Sequence, residues 1–368
     1  MVWRRVASAP VVAAAGNNGK DSAGNKLYGQ IHSPGDEPSA ITVGASNTFG
    51  TDSRNDDGVT TFSSRGPTRG SWTDDAGTRH YDNLIKPDLV APGNKIVNAE
   101  AEGNLLVREN PHLDAGVSPD DQRKMMYLNG TSMATPIAAG AAALLLQANP
   151  SLTPNMVKAI LMYTAQPLRG FNMFEQGAGQ LNIEGAVRLA KLFRTDLTAA
   201  TPLGTPLLTG PAPEPRTTIS GSTFTWAQGI ILNNTYARGA ELVTLYQKSY
   251  DAGALLGDSV IIGDGVIIGD ETMTSSGVII GDQIMTSDGV IIGDGEPFCG
   301  TDILLGDGVI IGDGVIIGDG VIIGDGAVIG DNALQADAAM QAQSATANGD
   351  ESTSMELEVD SGVDYLGY

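Results

Sequence analysis

Residues 129–147 constrain the chain more tightly than any other stretch. Asn129-Gly130-Thr131-Ser132-Met133-Ala134-Thr135-Pro136 is a run of small and polar residues that leads straight into the uncharged segment Ala139 to Leu146. Ala, Leu and Met favour helix, proline is tolerated in the early turns, and Thr131 stands where an N-cap belongs. The spacing therefore predicts a helix from about Ser132 to Gln147. It is apolar all round, so it is expected to be buried. A hydroxyl at its N-terminus meets unpaired N–H groups and the positive end of the helix dipole, which favour developing negative charge. Ser132 is thus a candidate nucleophile with its own N–H as one anion-binding donor. The plainer alternative is that Thr131 and Ser132 only cap a buried helix.

Composition sets the outer limits. With 368 residues and 41% hydrophobic content the chain is long enough for a large core, in roughly two to three domains. Its 21 basic and 43 acidic residues give a net charge of −22, which repels phosphate backbones and anionic membrane surfaces. Nucleic acid is therefore not an expected partner. A single cysteine, Cys299, excludes an intrachain disulfide and with it a disulfide-stapled scaffold. The apolar run Val6 to Ala15 is too short to span a bilayer, and the turn Gly16-Asn17-Asn18-Gly19 follows it instead of a signal-peptide cleavage site. Val11 to Ala15 reads as a buried strand, so the chain is expected to begin in the middle of a fold.

Residues 1–197 read as an α/β domain, with short apolar strands at Val11 to Ala15 and Ala40 to Ala45 and helices later. That order fits a parallel sheet with helices on both faces. Thr153-Pro154 opens a second helix near Asn155 to Thr164, with Val157, Ile160, Leu161 and Tyr163 as its buried stripe, and a third runs from about Ile183 to Leu192. Residues 198–253 read as a Pro/Thr/Gly-rich linker and a short β segment, with strands at Thr223 to Trp226 and Ile230 to Leu232. In residues 254–331 Gly-Asp recurs with a period of six around the unit Gly-Val-Ile-Ile-Gly-Asp, broken by one slip between Gly295 and Leu305. Such hexads resemble those of left-handed β-helices, in which three hexads make one coil. Val266 and Ile268 would face one way and Ile267 the other. Residues 332–368 form an acidic low-complexity tail, expected to be partly disordered.

Five stretches, in order, resemble the subtilases, a family of subtilisin-like serine peptidases. They are Val11 to Gly19, Ala40 to Ala45 with Phe62 to Pro67 behind it, Lys86 to Gly93, the octapeptide Asn129 to Pro136, and Gly177 to Asn182. The resemblance implies an incomplete subtilisin-like fold and endopeptidase chemistry, with Ser132 as nucleophile and the Asn17 side chain as the second oxyanion donor. It further implies that Ala13, Ala14, Ala15 and Gly16 form one wall of the substrate pocket. Small side chains there would leave room for a large apolar or aromatic group. Export to the extracellular space is expected from the family alone.

A serine needs a base, usually a histidine oriented by a carboxylate. In the family both lie upstream of the oxyanion asparagine, in Asp-Ser/Thr-Gly and His-Gly-Thr motifs, and neither motif precedes Asn17 here. His32, His80 and His112 all follow Asn17 and read as loop residues. The expectation is a fragment, inactive alone, whose true start lies upstream of Met1. Residues 1–197 by themselves are expected to aggregate through an uncovered sheet edge. The alternative is a non-catalytic binding or surface-association module in which the hexads mediate self-association. No cofactor is required by this reading, although aspartates stacked at the Gly-Asp corners would suit Ca²⁺.

Overall fold

The computed structural model describes residues 9–73, 79–198, 200–202, 204–233, 235–251 and 256, together with short strands between 266 and 329. Its first part runs β1 (Val12–Ala14), β2 (Ile41–Asn47), β3 (Gly58–Val59), β4 (Ser71–Thr73), β5 (Arg79–Tyr81), β6 (Leu89–Pro92), β7 (Ile96–Ala99), α1 (Leu105–Glu109), β8 (Met125–Leu128), α2 (Thr131–Ala148), α3 (Pro154–Tyr163), α4 (Met173–Gln176) and α5 (Ile183–Ala190). β2 is the centre of the main sheet. It pairs in parallel with β1 and β6, and β3 adds antiparallel to its end, so the sheet is mixed and not purely parallel as expected. All seven residues of β2 are buried, which suits its run of small and β-branched side chains.

Helix α2 lies along β1, β2 and β6. Thr131, Ala134, Ala138, Ala141, Ala142 and Leu145 are buried at helical spacing, whereas Leu144 on the other side is 44% exposed. Burial on all sides, expected from the apolar sequence, therefore holds for one stripe only. Its cap also differs: the N-cap is Gly130, and Thr131 is already helical. By length and composition α2 alone among the described helices could cross a membrane, but its buried stripe is spent on the sheet.

Helix α3 is the fully buried one. Thr153 caps it by accepting a hydrogen bond from Met156 N at 3.2 Å, and every residue from Asn155 to Tyr163 is buried. Its far side is covered by the segment that the sequence presents as linker: β9 (Arg216–Ile219) and β10 (Ser222–Thr225) form one hairpin, β11 (Gly229–Leu232) and β12 (Thr235–Arg238) a second, and α6 (Glu241–Thr244) follows. Ala227 N and Gln228 N donate to the carbonyls of Ala165 and Tyr163 at 2.8 and 2.9 Å. Trp226, Ile230, Leu242, Tyr246, Tyr250 and Leu256 belong to the same core cluster as Ile41 and Leu145. The core thus does not end at residue 197.

In the repeats two ladders of short strands run in register and in parallel. Val266 pairs with Val278 and Val309 with Val321 in one, and Met273 with Met285 and Val315 with Ala327 in the other. Most partners are 12 residues apart, two hexads, but across the slip Thr286 pairs with Leu305 and Val290 with Val309, 19 residues on. Cys299 and the tail from 332 lie outside the described residues.

A buried charge cluster ties α3 to the sheet. Asp88 Oδ2 accepts from Thr42 N at 2.7 Å and from Lys86 Nζ at 2.9 Å, and Lys158 Nζ of α3 stands 3.1 Å from Oδ1. Lys158 also donates to the carbonyls of Pro38 and Ala40 at 2.8 and 2.9 Å. Burial pushes the Lys158 ammonium down to about 7, with Asp88 offsetting part of the fall. Burial pushes Asp88 up, but Lys158 and Lys86 outweigh it and its carboxyl ends below its ordinary range. An unfolded lysine titrates near 10.5. Between about 7 and that value the folded chain holds fewer protons than the unfolded one, so stability from this residue rises with pH across the window. Thermal melts of wild type and Lys158→Met from pH 6 to 9.5 should therefore diverge in favour of wild type as pH rises. A melting-temperature difference that does not change with pH would rule this out.

Candidate active site

The site forms where the end of β1 meets the start of α2. Gly130 has no side chain with which to cap the helix, and the cap comes instead from across the fold: Asn17 Oδ1 accepts from Thr131 N at 2.9 Å. Thr131 Oγ1 adds a second tie, 3.1 Å from Asn17 Oδ1 and 3.2 Å from both the N and the O of Gly16. Gly130 N donates to Gly93 O just past β6 at 2.8 Å, so the turn before the helix is held to two strands of the sheet.

Fixing Oδ1 decides where the rest of the Asn17 amide points. A Cβ built on Gly130 would stand 3.3 Å from Asn17 Nδ2 and 3.7 Å from Ser132 N. Gly130 has φ 141°, a backbone shape that side chains other than hydrogen rarely adopt. The glycine therefore keeps open a small space faced by a side-chain N–H and a backbone N–H at a helix N-terminus. Such a space suits an oxygen that gains negative charge. Ser132 and Asn17 are both exposed there, and the two candidate residues converge.

The candidate wall strand has Ala13 and Ala15 buried and Ala14 and Gly16 partly exposed. Sequence reasoning set His32 aside as a loop residue, but the chain brings it onto this strand. His32 N donates to Ala15 O at 2.9 Å, and the ring lies so close to Gly16 that a Cβ there would be 2.9 Å from Cγ and Cδ2. Its Nε2 is 3.0 Å from Asn18 Nδ2. Only the bond from His32 N to Ala15 O, just past β1, reveals this, and nothing in the local sequence signals it. His80 falls in β5, and His112 in the helical turn Pro111–Leu113 between β7 and β8. The chain has no His-Gly-Thr; its one Asp-Ser-Gly, residues 360–362, follows the nucleophile and lies outside the described residues. Among the described residues no group of three His, Cys, Asp or Glu side chains could hold a metal ion, and the aspartates of the Gly-Asp corners lie outside them.

The profile of the Subtilase family matches residues 3–186, half of the chain, and a bacterial transferase hexapeptide profile of six repeats matches residues 302–334. The serine protease AprX of Bacillus subtilis (strain 168) is 37% identical over 177 residues, covering 48% of this chain and 35% of AprX. The membrane-bound transcription factor site-1 protease of Mus musculus is 31% identical over 197 residues, covering 52% of this chain and 15% of that protein. Among solved structures, fervidolysin from Fervidobacterium pennivorans, a keratinolytic enzyme related to subtilisin, aligns over 49% of this chain and 22% of its own, at 26% identity and a TM-score of 0.35. The chain thus spans about a third or less of the length of these curated relatives. With the family profile covering half its length, and a helix-terminal serine facing an asparagine amide, the chain belongs to the subtilase family of serine peptidases.

Proposed function

We propose that the chain carries the nucleophile and oxyanion parts of a serine endopeptidase that cleaves peptide bonds by acyl transfer. Ser132 Oγ attacks the peptide carbonyl, and the oxygen of the tetrahedral adduct enters the space above Gly130. The observation that carries the reading is the convergence of Asn17 Nδ2 and Ser132 N on that one point. The serine proton must pass to a base. Among the described residues, the histidine beside the site, His32, bonds to Asn18 and not to Ser132, so the reading includes that this chain is inactive alone. Peptides and proteins are the substrates, and an extracellular setting follows from family analogy.

A second reading applies to residues 254–331. The in-register ladders and the hexapeptide match support a stack of two-hexad coils that mediates self-association. On this reading the 368-residue chain sediments as an oligomer while a chain ending at residue 256 does not, and equal sedimentation of the two would contradict it.

Two experiments test the catalytic reading. A fluorophosphonate probe is expected to leave the chain unmodified as it stands, and to label Ser132 once a segment bearing the family's Asp and His motifs is joined to it. Labelling of the chain alone would mean that one of its own histidines acts as base. Asn17 variants separate cap from donor. Asn17→Ala removes both and should lower stability by about 1 kcal/mol, whereas Asn17→Asp keeps the acceptor for Thr131 N and should melt near wild type. In the joined, labelled protein both should slow peptide hydrolysis by about 10²- to 10³-fold, a figure that comes from subtilisin itself. An Asn17→Asp enzyme of undiminished rate would remove Asn17 from the oxyanion site.

A further inference from the structure

The two ladders of the repeats end differently. Among the described residues the outermost strands of one ladder are Val266–Ile268 and Val321–Ile323, and those of the other are Met273–Ser275 and Gly326–Ile329. At the first end Met273–Ser275 lies beside β12, in the hairpin whose Ile230, Ile231 and Tyr236 belong to the core. At the last end, among the described residues, Val321–Ile323 pairs with Val309–Ile311 alone and Gly326–Ile329 with Gly314–Ile317 alone. An edge strand presents N–H and C=O groups that lack partners, and natural edges are blunted by lysine, proline or a bulge. Val-Ile-Ile and Gly-Ala-Val-Ile carry no charge and no proline.

Every strand of the first ladder pairs in register with another Val-Ile-Ile. What continues that ladder best is one more strand of the same sequence. After Ile329 the sequence holds no further Val-Ile-Ile, whereas a second copy presents one at its own end. A head-to-tail stack would need the first end as well, where β12 stands in the way. We propose that two copies of this chain join tail to tail, the edges of Val321–Ile323 and Gly326–Ile329 meeting the same edges of the partner across a twofold axis. The inference rests on the self-association reading of the repeats and names the surface that mediates it. A twofold contact sets each strand antiparallel to its copy and closes the assembly at a dimer. Strands of three and four residues make a small contact, so micromolar affinity is expected.

Sedimentation equilibrium of the full chain from about 1 to 100 µM should show monomer and dimer and nothing larger. Disulfide trapping in a Cys299→Ser chain locates the contact. Ile267, Ile310 and Ile322 hold equivalent register positions at the first end, in an inner coil and at the last end. On oxidation Ile322→Cys, or its neighbour Val321→Cys or Ile323→Cys, is expected to give a covalent dimer, because opposed residues of an antiparallel pair stand within disulfide range. Ile267→Cys and Ile310→Cys should stay monomeric on non-reducing gels. Before oxidation each variant should sediment like its parent, which checks that the repeats are intact. Deleting residues 314–325, one coil of two hexads, puts Val309–Ile311 at the end and should leave the dissociation constant unchanged. Trapping at Ile310→Cys, or weaker association after the deletion, would overturn the end-to-end contact and leave self-association standing. Trapping only in a mixture of Ile267→Cys and Ile322→Cys chains would mean head-to-tail stacking and overturn it too. A monomeric full chain beside a dimeric chain ending at residue 331 would mean that the tail covers the edge in place of a second copy. If neither associates, the self-association reading and this inference fall together.

Discussion

The bond from Thr131 N to Asn17 Oδ1 joins residues 114 positions apart, and much of the site follows from it. A helix N-terminus leaves backbone donors unpaired, and a Ser, Thr, Asp or Asn at the N-cap normally takes one of them. Gly130 cannot. Glycine is favoured there for another reason: its φ of 141° is one that other residues rarely adopt, and a Cβ would stand 3.3 Å from Asn17 Nδ2 in the space before Ser132 N. Moving the cap to Asn17 satisfies the helix, locks α2 to the end of β1, and turns the remaining amide N–H toward the space in front of Ser132. One side chain thus serves stability through its oxygen and orientation through its nitrogen.

A single cap is worth only about 1 kcal/mol, too little to hold a catalytic geometry alone. The rest comes from the core behind it. α3 is buried on every side, so its polar groups must all be paired inside the protein. Asn155 Nδ2 donates to Ser249 O at 2.6 Å, and Lys158 reaches Pro38, Ala40 and Asp88. A second buried pair, Arg65 with Glu175 at 3.1 Å, joined by Lys26 at 3.1 Å, ties the loops around residues 19–26 and 65 to α4. Buried ion pairs are weak evidence of net stability, but removing one partner leaves a charge stranded, at a cost of about 3–5 kcal/mol. They therefore make the positions of β2, β6 and α3 hard to shift, and α2 packs on that frame.

The elements that local chemistry specifies were legible in the sequence. Thr153-Pro154 marks the start of α3, α5 begins at the expected Ile183, and β2 and β11 fall where short apolar runs place them. The misreadings share a cause, which is that the deciding contact is distant in sequence. Thr131 is not the N-cap because the acceptor comes from Asn17. Residues 198–253 have the proline and threonine content of a linker, yet Trp226, Tyr246 and Tyr250 bury against α3 and neighbouring core residues. His32 sits in an ordinary-looking loop and reaches Gly16 only because its backbone pairs with Ala15. That Ser132 and Asn17 come together is what the family resemblance implies, because it carries information about long-range geometry that periodicity and propensity lack.

Geometry and reactivity separate cleanly in this chain. The Asn17 amide and the Ser132 N–H are held by contacts among Gly16, Asn17, Gly93, Gly130 and Thr131, none of which involves a histidine or a carboxylate. Electrostatic preorganisation of that kind acts on charge as it develops and does not depend on how the serine loses its proton. In triad proteases, removal of a triad member leaves about 10³- to 10⁴-fold acceleration over water, carried by the oxyanion site and substrate binding. On the proposed acyl-transfer reading, such a cradle would recognise a tetrahedral, negatively charged oxygen even without a base at Ser132. What it would lack is the proton acceptor that turns the hydroxyl into a nucleophile, so binding at this site can be measured independently of turnover.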